Sequence, residues 1–300
     1  MNVLNNLVVQ SLPFIPKPII AAVAKRYIAG ETLSDAVQKV KQLNAEGAMA
    51  TVDVLGEDIF TQDQATESKN HSVEVLKAIE KNSLNSNLSI KLTSLGLKME
   101  KQFCIFNIDE IVSTAKRQHN FVRIDMEDHT CTDGTLEMFR LMRDRYQNVG
   151  IVIQAYLHRS EEDIRLLVKE KANIRLCKGI YNEPPHVAIK DRVGIQQNYL
   201  KLLRIIVEAG CYVGIATHDD VLIDGAKKII AELGIPKERY EFQMLLGVRD
   251  EKRKQLLAEG YRLRVYVPFG KDWYGYSTRR LKENPQMAGH VFKAILGIGQ

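Results

Sequence analysis

Near the C-terminal end of the chain, Tyr276, Arg279, Arg280 and Glu283 fall at i, i+3, i+4 and i+7, which on a helix places them on one face. That face carries an aromatic ring, two guanidinium groups and a carboxylate. A guanidinium is planar and offers paired N–H donors, so it grips a carboxylate through two parallel hydrogen bonds, and Glu283 stands where it can hold the arginines in place. The chemistry suggested is recognition of a small carboxylate-bearing molecule. A plain surface helix laced with ion pairs has the same spacing. Tyr266, a little upstream at the end of a β-rich run, argues for the site.

Other polar side chains gather at the ends of similar runs. Lys91 lies in LSIKLTSL, and Asp125 closes FVRIDM with Glu127 and Asp128 behind it. Gln154 lies in GIVIQAYL, Arg175 and Lys178 in NIRLCK, and Gln243 and Leu245 in YEFQML, while YVGIAT ends in Thr217, His218 and Asp219. Singly, each has an ordinary meaning: a solvated lysine, carboxylates that cap the next helix, a histidine at a helix start. Their recurrence at corresponding ends of successive runs makes a candidate site. A metal-dependent barrel hydrolase or isomerase using Asp125, Glu127, His129 and His218 is the rival from another enzyme class, although no His-x-His pair supports it.

The elements that must position these residues alternate strictly. Eight β-rich runs, Ala48 to Leu55, Leu88 to Leu95, Phe121 to Met126, Gly150 to Leu157, Asn173 to Lys178, Tyr212 to Thr217, Tyr240 to Leu245 and Leu263 to Pro268, are separated by helix-length segments. The segments include Ser72 to Lys81, Ile108 to Gln118 and Val193 to Ala209. Near-continuous apolar strands alternating with helices indicate a parallel sheet covered by helices. With no composition break or linker, the expected fold is α/β, a (β/α)8 TIM-like barrel with extra N-terminal helices, whose active site lies at the C-terminal ends of the strands. An open doubly wound sheet is the alternative, but no GxGxxG follows any strand. Thr32 caps a leading helix that Gly47 stops, so residues 1–46 read as a helical segment packed on a barrel of residues 47–300.

Composition narrows the classes. A chain of 300 residues, 45% hydrophobic and 26% charged, can bury one large core, and a net charge of +5 without a basic run argues against nucleic acid. Cys104, Cys131, Cys177 and Cys211 form no CxxC pair, so reduced thiols in a cytoplasmic protein are expected, with no metal. The apolar stretch Pro18 to Ala24 is too short to span a bilayer; it suits packing on the barrel or peripheral contact with the inner face of a membrane.

The stretch YRLRVYVPFGKDWYGYSTRRLKENP resembles the signature of proline dehydrogenases. Similar blocks follow in order at SIKLTSLG, RIDMED, IVIQAYL, RLCKGIY, ATHD and FQMLLG. The resemblance spans Ala48 to the end and matches the monofunctional form, as well as the proline dehydrogenase domain of bifunctional proline utilisation proteins. It implies non-covalent FAD and oxidation of L-proline to 1-pyrroline-5-carboxylate, the first step of proline catabolism, by hydride transfer from C5 to flavin N5. Lys91, Arg279 and Arg280 would bind the substrate carboxylate, Leu245, Tyr266 and Tyr276 would wall the ring, and Asp125 would sit beside it. Gln154, Arg175, Lys178, Gly179, Ile180, Tyr181, Thr217, His218, Arg280 and Glu283 would hold FAD, with Arg175 near N5. A membrane quinone would take the electrons and a separate pyrroline-5-carboxylate dehydrogenase the product. Asn182, Leu246 and Asp219 depart from the family's common aromatic, histidine and asparagine, which bears on cofactor packing and loop closure.

Overall fold

In the computed structural model the described residues are 20, 24–56 and 59–283, without the side chains of 279–283. The expected short helix at Pro18 to Ala24 therefore falls almost wholly outside them. Helix α1 (Leu33–Ala45) leads into β1 (Met49–Val54), and the chain continues through α2 (Gln62–Lys81), β2 (Ser86–Ile90), α3 (Lys101–Arg117), β3 (Val122–Ile124) and α4 (Thr132–Arg143). The second half comprises β4 (Val149–Gln154), α5 (Ser160–Lys169), β5 (Ile174–Cys177), α6 (Arg192–Glu208), β6 (Val213–Ala216), α7 (Asp220–Glu232), β7 (Tyr240–Leu245), α8 (Asp250–Ala258), β8 (Leu263–Phe269) and α9 (Trp273–Glu283). The eight strands form a closed barrel in sequence order, every pair parallel, and β8 returns to β1 in the register Met49↔Arg264 to Val54↔Phe269. This is the expected architecture.

Alternation along each strand divides the barrel into two chemistries. One set, including Val52, Leu88, Ile124, Ile151, Ile174, Ile215, Phe242 and Val265, joins the apolar core shared with helix residues such as Val40, Leu76, Ile108, Phe139 and Leu203. The other set contains Thr51, Asp53, Ser89, Arg123, Asp125, Arg175, Glu241, Gln243, Arg264 and Tyr266. These are polar residues joined across the strands by hydrogen bonds. Hydrophobic burial thus sits between sheet and helices, and the barrel interior is free for polar work. Gly150 leaves room for one such residue: a Cβ there would lie 2.5 Å from Arg123 Nη1.

Two helices frame the site. Helix α1 packs against β1 and β8, on the flank where a helix following β8 would otherwise lie. Helix α9 instead brings Tyr276 into a cluster with Ala24, Tyr27, Ile28 and Leu55. No helix among the described residues is long and apolar enough to cross a membrane.

The structure corrects some boundaries. β2 stops at Ile90 rather than Leu95, because Thr93–Leu95 forms a 3-10 turn ended by Gly96 at φ 100°. The Glu127 carboxylate accepts from Thr93 N at 3.0 Å and from the Thr93 hydroxyl, so a tertiary contact overrides the β-rich composition. β4 likewise ends at Gln154, before Leu157. Helix α2 starts at Gln62 rather than Ser72; its polar opening QDQATESK lacks apolar periodicity, yet Thr61 and Gln64 close a capping box.

Thr32 makes the equivalent box for α1, accepting from Asp35 N while Asp35 Oδ2 accepts from Thr32 N at 2.9 Å. Thr32→Ala is expected to lower stability by about 1 kcal/mol, read as a shifted midpoint in urea unfolding at constant m-value.

Candidate active site

At the C-terminal ends of the strands opens a cavity of about 1090 Å³. At one end lies a group of fixed charges. Asp125, where β3 ends, accepts from Ser89 Oγ (2.7 Å) and Arg175 Nη1 (2.7 Å) at Oδ1, and from Tyr266 OH (2.9 Å) at Oδ2. The Arg175 guanidinium also lies over the Tyr266 ring, 5.2 Å from its centre. Lys91, just past β2, donates from Nζ to both oxygens of Asp53 at 2.8 Å and approaches Tyr266 OH at 3.5 Å. These side chains come from β1, β2, β3, β5 and β8, so the group exists only once the barrel closes.

Burial and neighbours set the ionisation states. Burial pushes the Asp53 carboxyl up to about 6; Lys91 pulls it down and Asp125 adds to the rise. Burial likewise lifts the Tyr266 phenol well above its ordinary value, reinforced by Asp125 and Asp53, so it stays a donor. Burial raises the Cys177 thiol to about 12, which keeps this cavity-lining sulfur un-ionised and poorly nucleophilic.

The other part of the cavity is built from loops after β4 to β7. Gln154 donates from Nε2 to Met126 O at 3.5 Å, while its Oε1 is buried with no partner. Gly179 has φ 112°, and a Cβ there would lie 2.2 Å from the Tyr156 ring, so only glycine lets the chain pass. His218 Nε2 accepts from Leu245 N at 2.8 Å. Burial tends to raise the Asp219 pKa, but hydrogen bonding from Gln196 and the charges of Lys178 and Arg192 hold it below the usual carboxylate range.

Lys91, Asp125, Gln154, Arg175, Lys178, Gly179, Ile180, Tyr181, Thr217, His218, Leu245, Tyr266 and Tyr276 all line this one cavity. Helix α9 runs on from Tyr276 through Arg279, Arg280 and Glu283, whose side chains lie outside the described residues. The rival metal set does not assemble. Asp125 is bound as above, Glu127 holds Thr93, His129 meets Glu183, and among the described residues no three His, Cys, Asp or Glu side chains group so as to hold an ion. Sequence reasoning missed Asp53, whose only signal is an acidic residue inside the apolar run AMATVDVL, and it named Gln243 without giving it a role.

The family model described as proline dehydrogenase matches residues 36–293. The chain belongs to the proline dehydrogenase family. It is 42% identical over 273 residues to proline dehydrogenase 1 of Bacillus subtilis (strain 168), covering 91% of this chain and 90% of that one. The proline dehydrogenase of Deinococcus radiodurans is 40% identical over 278 residues, with the same coverage. Among solved structures, proline utilization A (PutA) from Bdellovibrio bacteriovorus, inactivated by N-propargylglycine, superposes with a TM-score of 0.82 at 26% identity. That match covers 88% of this chain and 33% of the other, so the matched region spans about a third of the longer protein. The reaction of this chain is the oxidation of proline, the first step of proline catabolism, and it is flavin-dependent.

Because the folded-state pKa of Asp53 lies near 6, above its ordinary 3.8, the native protein binds more protons than the unfolded chain between those values. The Asp53 contribution to stability is full below about 4 and is lost as pH rises through about 6. Relative to Asp53→Asn, the wild type should lose stability over that window; equal slopes in urea unfolding at stepped pH would refute the assignment.

Proposed function

We propose that the flavin is FAD, held without a covalent bond in this cavity, and that L-proline is oxidised there to 1-pyrroline-5-carboxylate. The observation that carries the reading is the continuity of one cavity between the Lys91, Asp125 and Tyr266 group and the Gln154, Lys178 and Thr217 wall. At about 1090 Å³ it reaches the upper end of small-molecule sites, roughly 300 to 1,000 Å³, and exceeds what one amino acid fills. The unpartnered Gln154 Oε1 fits an N–H donor on a bound ring system, since a buried acceptor without a partner is costly. Lys178, Arg192 and Arg249 outnumber Asp219 and Asp220, the cavity carboxylates they pair with, and so suit an anionic tail.

When bound, FAD supplies the hydride acceptor. The chain supplies position and charge. Lys91, Arg279 and Arg280 take the substrate carboxylate, and Leu245, Tyr266 and Tyr276 wall the pyrrolidine ring, so C5 is presented in one orientation. Asp125, engaged at both oxygens, fixes Arg175 and Tyr266 against that ring. The substrate loses a hydride from C5 and a proton from nitrogen, which leaves the C=N bond of the product. Gln154, Arg175, Lys178, Gly179, Ile180, Tyr181, Thr217 and His218 hold the cofactor, with Arg280 and Glu283 from α9. Tyr276 excludes a ring hydroxyl by the volume it takes. Of the departures from the family pattern, Asp219 is committed to Gln196, Leu246 is buried, and Asn182 is exposed in the loop after β5.

Residues 47–300 form the catalytic barrel in this reading and 1–46 a helical segment on it, with α1 seated against β1 and β8. A membrane quinone takes the electrons and a separate pyrroline-5-carboxylate dehydrogenase the product, which places the enzyme in the cytoplasm, against the inner face of the membrane.

The test is the visible spectrum of the purified protein, followed by anaerobic L-proline. The flavin band is expected to bleach. Arg279→Ala and Arg280→Ala should each raise the KM for proline by about 10- to 100-fold, from about 1.5 to 3 kcal/mol per lost charge-assisted hydrogen bond. A protein that binds proline but leaves its flavin oxidised would be a sensor instead, and one that cannot be reconstituted with FAD would sink the reading.

A further inference from the structure

The polar interior of the barrel does not stop at Arg175. Its Nε donates to Gln243 Oε1 at 2.7 Å, Gln243 Nε2 donates to Glu241 Oε1 at 2.6 Å, and Glu241 is held by Arg264 Nε at 2.6 Å. Arg264 is anchored in turn through Nη1 to Ala50 O at 2.6 Å. A buried chain thus runs from the closing seam of the barrel to the cavity. Gln243 is its last member before Arg175 and itself lines the cavity.

We propose that Gln243 is a positioning residue for proline oxidation, fixing the Arg175 guanidinium and with it the positive charge offered to the group reduced in the cavity. This rests on the flavin reading above. The chemistry on both sides of Gln243 admits little but an amide. Arg175 Nε–H can only donate, and an ionised carboxylate can only accept. Burial works against the charge on Glu241, yet Arg264 holds its pKa below the ordinary value. The neighbouring strand is cut to fit: a Cβ on Gly214 would lie 2.4 Å from Gln243 Nε2.

The consequence lies in how Arg175 meets Asp125. Only Nη1 reaches that carboxylate, and Asp125 Oδ2 is taken by Tyr266. With Nε tied to Gln243, the guanidinium is kept from turning a full fork onto Asp125, and Nη2 has no acceptor among the described residues. Removing Gln243 frees Arg175 to swing onto Asp125, where its charge is spent within the protein. A cation withdrawn from the cavity stabilises a reduced, more negative flavin less, which lowers its reduction potential.

Holoenzymes of the wild type, Gln243→Leu, Gln243→Glu and Gly214→Ala decide it, read by thermal unfolding, flavin midpoint potential and steady-state kinetics. Gln243→Leu should lose about tenfold in kcat and show a lower potential, while its KM for proline stays within about twofold, because the carboxylate grip is untouched. Gly214→Ala, which keeps the amide but displaces it, should move in the same direction. In Gln243→Glu two carboxylates face each other and share a proton, so its potential should fall more steeply with pH than that of the wild type. Unchanged kcat and potential in Gln243→Leu overturn the proposal; should that variant not fold, a Gln243→Glu potential that tracks the wild type at every pH does so. If the wild type binds no flavin, the flavin reading fails separately. Crystal structures then judge Gln243: an Arg175 unmoved in Gln243→Leu overturns its role, and one turned onto Asp125 supports it.

Discussion

The carboxylate of Asp125 is the point on which the site depends. A charge taken out of water is costly unless hydrogen bonds replace the lost hydration, and here Ser89, Arg175 and Tyr266 replace it from β2, β5 and β8. The same three contacts tie distant parts of the barrel wall together across its interior. None is local in sequence, so the arrangement is a product of closure rather than of any one segment. An uncompensated Asp125 would be far more damaging than the modest value of any single contact suggests. The carboxylate thereby joins the barrel wall and the cavity: whatever holds it also fixes the arginine and the tyrosine.

Such a polar interior is affordable because stability is drawn from elsewhere. In many barrels layers of branched apolar residues fill the lumen. In this chain the apolar positions face outward under the helices, where Val52, Ile124, Ile174, Ile215 and Val265 meet helix residues. The inward positions then carry arginines, carboxylates and amides with little loss of core. Helix α1 supports the same division. By taking the flank of β1 and β8 it leaves α9 to bring Tyr276 to the mouth.

Most of this architecture was legible in the sequence because parallel strands covered on both sides read as short apolar runs, and because polar residues interrupt them at one end. That rule points to Lys91, Gln154, Arg175 and His218, which line the cavity. It failed where a contact from far along the chain decided the local structure. The run from Leu88 to Leu95 reads as one strand, yet Glu127 pulls Thr93 into a turn and leaves Lys91 at the rim. Asp53 was invisible for a related reason: a lone acidic residue in an apolar run acquires meaning only when Lys91 is seen to hold both its oxygens. Gln243 carried a visible position but no visible partner, because its chain through Glu241 and Arg264 joins neighbouring strands whose register the sequence does not state.

Charge balance in the lumen links these details to the reaction. Among the described inward residues, Lys91, Arg123, Arg175 and Arg264 face Asp53, Asp125 and Glu241, so the cations are in excess by one. Burial already strains the surplus, for it lowers the Arg123 pKa to about 9, with Arg175 adding to the effect. In the proposed reaction an incoming carboxylate offsets the excess, whereas an ammonium group beside it would add to it. Proline in water carries both. A lumen with this sign therefore favours the bound amino acid as a carboxylate with a neutral amine. The neutral amine is the form whose nitrogen lone pair can drive hydride loss from C5, so under the proposed function the charges that would take the substrate carboxylate would also favour its reactive protonation state.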